Sequence, residues 1–507
     1  MRNAQIVILA ILIAYMVFNM FFGIYMSRKS AKQNADAGFL SNYFAGGRSM
    51  GGLVLAMTLV ATYSSASSFL GGPGLASSWG LTQSWVAVIQ IGTAFLTLGV
   101  IGKKLGIISR RIGAVTVTEY LKARYKSPAV VILCGVALVV FFITQMVAQF
   151  IGGATLIQTV TGLPYWVGLT LFGLVVILYT SVGGFRAVVI TDTIQGFIMT
   201  LGTFLLLFFV LRAGGGMENM LDTLDQTNPG WDLLGKGDNG ATIPALAPGY
   251  LISFWVLVGV AVIGLPQTAV RGMGFRDTQS LHRAMIYGTV VVGVLMIGMH
   301  FAGTLAQPLL PEEGVASTDQ VIPYVVLHYM PAWCAGLFLA APLAAVMSTV
   351  DSLLILASAT IIKELYLTYI KKMTPEEQQA EAGAAEGKKI SRFSLAITVV
   401  LGVIVYVIAL NPPDIIVWIN LFAMGGLEAS YFWPLIGGLY WKKGTAASAI
   451  GSIVCGLGVF LFFNQVKIAP FGIHEIVLGL AAGGIAYFLI GTIQNKAPDA
   501  EVLEKCF

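Results

Sequence analysis

Ser348 and Thr349 are adjacent hydroxyls inside an apolar run, Ala341-Pro-Leu-Ala-Ala-Val-Met-Ser-Thr-Val-Asp-Ser352, and Asp351 follows within one turn. If the run is a helix, Ala345, Ser348 and Thr349 share a face. They then offer hydroxyl and nearby main-chain oxygens to a hard cation such as Na+. The alternative is that the hydroxyls bond back to their own helix or to a neighbour. A second pointer is Asp192, in Gly183-Gly-Phe-Arg-Ala-Val-Val-Ile-Thr-Asp-Thr-Ile-Gln195, about a turn and a half into another apolar stretch. A carboxylate at that depth is costly unless hydrated, paired or cation-bound. Glu428 poses the same problem, with a structural bond and a gating role both open. Cys134, Cys334, Cys455 and Cys506 make no CxxC pair and read as reduced and structural, and the four histidines lack metal-ligand spacing. No P-loop, nucleophile elbow or zinc motif is present, so the expectation is a protein that is not an enzyme.

The elements that must position these groups span a membrane. Of 507 residues, 57% are hydrophobic and 10% charged, far from the soluble average. Thirteen apolar stretches are long enough to cross: 5–27, 50–72, 81–102, 128–160, 165–182, 187–212, 248–270, 279–306, 331–364, 393–411, 414–438, 445–464 and 474–494. With the N-terminus outside and the C-terminus inside, all of the 29 Lys and Arg except Arg2, Arg212, Lys236 and Lys467 fall on the cytoplasmic side, as the positive-inside rule requires. The net charge of +5 is thereby explained without a nucleic-acid partner. The first span has no small-residue cleavage pattern and is kept as structure. Residues 213–247 and 308–330 read as external loops, 371–390 as a cytoplasmic linker, and 103–127 as a cytoplasmic surface helix.

Two spans look broken. The second carries Ala61-Thr-Tyr-Ser-Ser-Ala-Ser-Ser68 at its middle and Gly71-Gly-Pro-Gly74 beyond; the seventh carries Gly264-Leu-Pro-Gln267. Five spans apart, they cross the membrane in opposite directions. Broken helices at matching places in two inverted halves point to a secondary-transporter binding site.

The Asp192 string, Tyr43-Phe-Ala-Gly-Gly-Arg-Ser49 and the Ser348-Thr349 helix together closely resemble the sodium:solute symporter family, over nearly the whole chain. The resemblance implies an all-α, LeuT-like core of two inverted repeats of five helices, here 48–438. An extra helix at 5–27 precedes it, two helices at 444–495 follow, and 496–507 is a cytoplasmic tail, all in a single transporter domain. Gly46-Gly-Arg-Ser-Met-Gly-Gly52, Ser67-Ser-Phe-Leu-Gly-Gly-Pro-Gly74, Gln149-Phe-Ile-Gly-Gly-Ala154, Gly264-Leu-Pro-Gln-Thr-Ala-Val-Arg271 and Gly425-Gly-Leu-Glu428 look most like the pantothenate-carrying members. Gln267 departs from the His common in the family. Tyr63 stands where proline carriers have an aspartate, which argues against proline.

Carried over by position, the resemblance implies a main Na+ site made by the carbonyls of Ala61, Ser64 and Ala345 with the hydroxyls of Ser348 and Thr349. Some relatives have a second site, which would fall here on Asp192, Ser348, Asp351 and Ser352. Because Asp351 replaces a serine, that place is either a second Na+ site or a proton-linked pair. A pantothenate-like carboxylate would meet Tyr63, Ser65, Ser67, Ser68, Gln90, Gln145, Gln149, Gln267 and Thr268 near the breaks. Arg271 is expected toward the cytoplasmic end, with no Lys or Arg at the depth of the substrate. The expected partners are Na+, this small molecule and membrane lipid, with no obligate protein partner, and the expected location is a bacterial inner membrane. The rival readings are Na+ symport of another small monocarboxylate or amino acid, and a membrane sensor or channel without coupled transport.

Overall fold

A computed structural model describes residues 2–33, 49–234, 248–373, 377 and 385–507. Most of the Tyr43–Ser49 string and much of the two loops at 213–247 and 371–390 lie outside the described residues. Within them the regular structure is helical, and one isolated parallel bridge, Met50 to Phe275, is the β pairing present. Among the described residues, nine helices are long and apolar enough to cross a membrane, and two bent pairs raise the number to eleven. The two remaining expected stretches hold the shorter helix Tyr165–Ser181 and the helix Ile416–Tyr440.

Helical backbone is continuous over Tyr165–Ala213, where the sequence predicts two spans. Tyr179 and Thr191 nevertheless pack against the same residue, Gly23, although they would stand about 18 Å apart along a straight helix. The chain therefore turns back between them. Exposed Ile6, Phe21, Trp166, Leu201, Ile286 and Ile493 give the outside of the bundle an apolar surface, which suits lipid rather than water. The ninth span, which begins as the helix Ala332–Ala359, lies at the centre and packs against the first, second, fourth, sixth and tenth spans. Ala345, Ser348, Thr349, Asp351 and Ser352 on it are all buried.

Both broken spans bend where the sequence interrupts them. Gly52–Tyr63 and Ser67–Trp79 meet at 74°, and Leu251–Gly264 and Pro266–Met273 at 49°. Ser64 is extended, at φ −68° and ψ 140°. Leu265 is extended at φ −74° and ψ 117°, as the residue before a proline prefers, and Pro266 then opens the second half from the N1 position, where it has no N–H to lose. The freed backbone groups find side chains. The Ala66 N–H donates to Gln149 Oε1 at 2.8 Å and the Ser65 N–H to Ser68 Oγ at 3.3 Å. Thr268 Oγ1 donates to the Leu265 carbonyl at 3.0 Å. Gln149 Nε2 donates to the Gln145 carbonyl, and Gln267 Nε2 to Gln145 Oε1, each at 3.3 Å.

At one end of the bundle, the loop before the ninth span sits on the second half of the second. A Cβ at Gly74 would lie 1.9 Å from the Thr318 carbonyl oxygen, so only glycine fits. Next to it, the buried Asp319 accepts the Ile416 N–H at 3.2 Å, where the eleventh span begins. Burial pushes the Asp319 carboxyl up to about 6; the Ile416 N–H opposes the shift and nearby Asp414 adds to it.

Two outcomes follow from these contacts. Gln149→Leu leaves the Ala66 N–H buried and unpaired, which should lower the unfolding stability of the purified protein by about 1–3 kcal/mol; an unchanged denaturation midpoint would remove Gln149 from this role. Asp319 has the opposite sign from an ion-paired carboxylate. Its raised value makes the folded state bind a proton more readily than the unfolded chain, so its contribution to stability falls as pH rises from about 4 to about 6. The melting temperature of the wild type, relative to Asp319→Asn, should drop across that window and level off above it. Parallel melting curves for the two proteins would contradict this.

Candidate functional site

The break in the second span faces the two hydroxyls of the ninth. Ser348 Oγ donates to the Ala61 carbonyl at 2.8 Å and to the Ala345 carbonyl at 3.1 Å. Thr349 Oγ1 donates to the Ser64 carbonyl at 2.7 Å and to Ala345 at 2.8 Å. Each hydroxyl has one proton and serves one carbonyl at a time. All five residues named from the sequence are thus brought together, and all are buried. The arrangement is an uncharged cradle of oxygens, two of which can turn their protons away and present lone pairs to a cation. It forms because the helix stops at Tyr63, so the carbonyls of its last turn are not all committed to an intrahelical bond.

The second expected group is arranged differently. Asp192 Oδ2 accepts Thr58 Oγ1 at 2.7 Å and Arg271 Nη2 at 3.3 Å. Arg271 Nη2 also donates to Ser352 Oγ at 2.6 Å, and its Nε to Thr58 Oγ1 at 3.3 Å. Asp351 Oδ2 accepts the Tyr179 hydroxyl at 2.7 Å, while Oδ1 lies 3.4 Å from Ser352 Oγ. Asp192, Asp351 and Ser352 therefore converge, but around a guanidinium, and the Ser348 hydroxyl belongs to the first cradle. Arg271 is completely buried. The sequence signal for it is an arginine seven residues beyond the Gly264 break, inside a stretch that also needs a partner for Asp192.

A cavity lies beside the break on the other side from Arg271. Tyr63, Ser65, Ser67, Ser68 and Gln90 line it, as the sequence suggests. Gln145, Gln149, Gln267 and Thr268 do not; they bond the broken backbone or one another instead. An unwound segment must have its buried N–H and C=O groups paired, and these side chains do that. Trp79, Gln83, His300, Trp418 and Asn420 also line it, among further apolar residues, and were not picked out from the sequence. Tyr63 donates to Gln90 Oε1 at 2.9 Å and to the Val258 carbonyl at 3.1 Å, tying three spans together. His300 Nδ1 faces the Met296 carbonyl at 2.7 Å and so carries the proton, leaving Nε2 toward Gly72. Ser67 Oγ and Asn420 Oδ1 have no hydrogen-bond partner among the described residues. No Lys, Arg, Asp or Glu among the described residues lines the cavity, which holds about 60 Å³ of space for water. Glu428 is buried elsewhere in the eleventh span, and neither of its oxygens has a hydrogen-bond partner among the described residues.

Opposite the cavity, the ends of the two broken spans are tied by backbone. Met50 N–H donates to the Gly274 carbonyl at 3.1 Å and Arg276 N–H to the Met50 carbonyl at 3.0 Å. Gly272 packs so closely that a Cβ there would lie 2.7 Å from Gly102 Cα. The break region is therefore closed on the side of the basic segments.

The chain is 43% identical over 499 residues to the sodium/pantothenate symporter of Escherichia coli (strain K12), covering 98% of this chain and 99% of that one. It is 44% identical over 454 residues to the sodium/pantothenate symporter of Haemophilus influenzae (strain Rd), covering 89% and 90%. A substrate-bound, outward-open Na+-coupled sialic acid symporter superposes with a TM-score of 0.74 at 20% identity, over 97% of this chain and 98% of that one; this likeness establishes the fold, the LeuT-like architecture expected from the sequence. The model of the sodium:solute symporter family matches residues 43–456, and the chain belongs to that family.

Proposed function

We propose that this chain is a sodium-coupled symporter that imports pantothenate by alternating access across a bacterial inner membrane, with its N-terminus outside and its C-terminus inside. In this reading it is a single transporter domain: the inverted-repeat core occupies 48–438, the helix at 5–27 precedes it, the helices at 444–495 follow, and 496–507 is a cytoplasmic tail. The carbonyls of Ala61, Ser64 and Ala345 and the hydroxyls of Ser348 and Thr349 bind Na+. The observation that carries the reading is the cradle of oxygens between the broken second span and the ninth span, supported by the high identity to two sodium/pantothenate symporters over most of the chain.

The chemistry of coupling follows from adjacency. Ser64 supplies a cradle carbonyl and Ser65 lines the cavity, and consecutive Cα atoms are only about 3.8 Å apart. A bound Na+ therefore fixes the conformation of the segment that the substrate must touch. The pantothenate carboxylate finds no Lys or Arg among the described residues of the cavity. Half-helix N–H groups, hydroxyls and the neighbouring Na+ must meet its charge. Tyr63, Ser65, Ser67, Ser68 and Gln90 remain the substrate contacts, with Asn420 and His300 added, and the cavity widens to admit the whole molecule. Gln145, Gln149, Gln267 and Thr268 act behind them, by holding the breaks. Asp192, Asp351 and Ser352, where the resemblance implies a second Na+ or a proton-linked pair, gather around Arg271 instead, while Ser348 serves the first cradle. One Na+ with one pantothenate anion is electroneutral; each additional charge would be worth about 2.3 kcal/mol per 100 mV.

Labelled pantothenate should accumulate in proteoliposomes under an inward Na+ gradient and not under a K+ gradient. Absence of Na+-driven uptake, or complete competition by an unrelated monocarboxylate or amino acid, would overturn the substrate assignment. Ser348→Ala with Thr349→Ala should raise the Na+ concentration for half-maximal uptake at least about tenfold, the equivalent of roughly 1.4 kcal/mol of lost ion binding. An unchanged Na+ dependence would return the two hydroxyls to helix packing.

A further inference from the structure

We infer that Arg271 is a tethered cation that fills the second ion position, so that this protein binds and moves a single Na+ per cycle. The inference rests on the proposed Na+ cradle and concerns the neighbouring cluster. Asp192, Asp351, Ser352 and Arg271 are all completely buried, where no bulk water compensates a carboxyl group and it must be paired, hydrogen-bonded or protonated. Asp192 Oδ1 has no hydrogen-bond partner among the described residues, but the oxygens that would complete a cation's shell beside it already serve the guanidinium. Asp192 Oδ2 and Ser352 Oγ both accept from Arg271 Nη2, at 3.3 and 2.6 Å, and Thr58 Oγ1 accepts from its Nε at 3.3 Å. A Na+ placed among Asp192 and Ser352 would sit against the guanidinium, and like charges at that separation in a low-dielectric interior repel strongly. Ser348, the remaining hydroxyl of the expected site, is turned to the Ala61 and Ala345 carbonyls instead.

The planar guanidinium suits this position better than a point charge, because its separate N–H groups reach Asp192, Ser352 and Thr58 at once. Those partners belong to the sixth, ninth and second spans, while Arg271 lies just past the break of the seventh. One side chain therefore joins four spans on the closed side of the breaks. The negative charge left over belongs to Asp351, whose oxygens accept from neutral donors, the Tyr179 phenol at 2.7 Å and Ser352 Oγ at 3.4 Å. That carboxylate does not form a cradle: among the groups beside it, Ser352 Oγ is held by Arg271 and Tyr179 points its proton inward. An inorganic ion would leave with every cycle. The guanidinium stays with the chain, so the transported positive charge is the one Na+ of the first cradle.

Equilibrium binding of ²²Na+ to the purified full-length protein tests this without reference to uptake. The wild type should bind one Na+ per chain, Arg271→Gln two, and Arg271→Lys one, because lysine restores the resident charge. Two Na+ in the wild type, or one in a folded Arg271→Gln, would overturn the inference. Ser348→Ala with Thr349→Ala keeps Arg271 in place and covers the case in which Arg271→Gln does not fold: it should bind no Na+, whereas one residual Na+ would mean that the second position accepts the ion beside the guanidinium. A wild type that binds no Na+ at all would instead refute the proposed cradle, so the two failures are distinguishable.

Discussion

The structure depends on how a broken helix is satisfied where water is absent. Stopping the second span at Tyr63 and resuming it at Ser67 leaves N–H and C=O groups without intrahelical partners, and each would be costly in a bilayer core. The N–H groups are met from behind by Gln149 and Ser68. The Ala61 and Ser64 carbonyls are met from the front by Ser348 and Thr349. Once the N–H groups have permanent partners and the carbonyls have exchangeable ones, the break is both stable and able to bind a cation. The seventh span repeats the logic with Pro266 and Thr268, but its freed groups are bonded locally, and it contributes a charged side chain rather than a cradle.

This division gives the two broken spans different work. Around the second span, the groups that face the cavity and the cradle carry no formal charge, so ions and anions can come and go without leaving an unpaired charge behind. Around the seventh, Arg271 and Asp192 form an ion pair that closes the opposite side. Breaking a buried pair of this kind is strongly unfavourable unless the partners are rehydrated together. Opening that side must therefore admit water to Asp192, Asp351 and Arg271 as a unit. The backbone link from Met50 to Gly274 and Arg276 and the close packing of Gly272 on Gly102 must loosen in the same step.

Much of this is legible in the sequence, because the signals are chemical and local. Gly-Pro and Ser-rich interruptions in apolar stretches mark the breaks, and hydroxyls at helical spacing mark the cradle. The errors share a cause. Gln145, Gln149, Gln267 and Thr268 look like ligands because a polar residue near a break is required whether it serves a substrate or the backbone, and only geometry separates the two. His300, Gln83 and Asn420 are missed because they reach the cavity from spans with no interruption to draw attention to them, and Trp79 because it lies at the far end of the second half of the broken span, beyond the interruption. The pairing of Arg271 with Asp192 is not read from the sequence because the two lie 79 residues apart, on different spans, and only the fold brings them within 3.3 Å. The sequence separates two apolar stretches at 165–182 and 187–212, whereas helical backbone is continuous over Tyr165–Ala213.

Coupling needs no long pathway in this arrangement. The cradle and the cavity are two faces of one unwound segment, with Ser64 turned to the first and Ser65 to the second. An anion of the proposed kind entering a cavity without Lys or Arg among the described residues would have a Na+ in the proposed cradle as a nearby full positive charge, and in a low-dielectric site that attraction is far larger than in water. Thermodynamic linkage makes the effect mutual: whatever Na+ adds to substrate affinity, substrate adds to Na+ affinity. In this reading the lack of fixed positive charge among the described residues of the cavity is what makes binding conditional. An arginine there would hold the anion whether or not Na+ was present, and the gradient would lose its hold on the cycle. The buried guanidinium of Arg271 lies on the other side of the break, paired to Asp192, where it cannot serve the substrate in the cation's place.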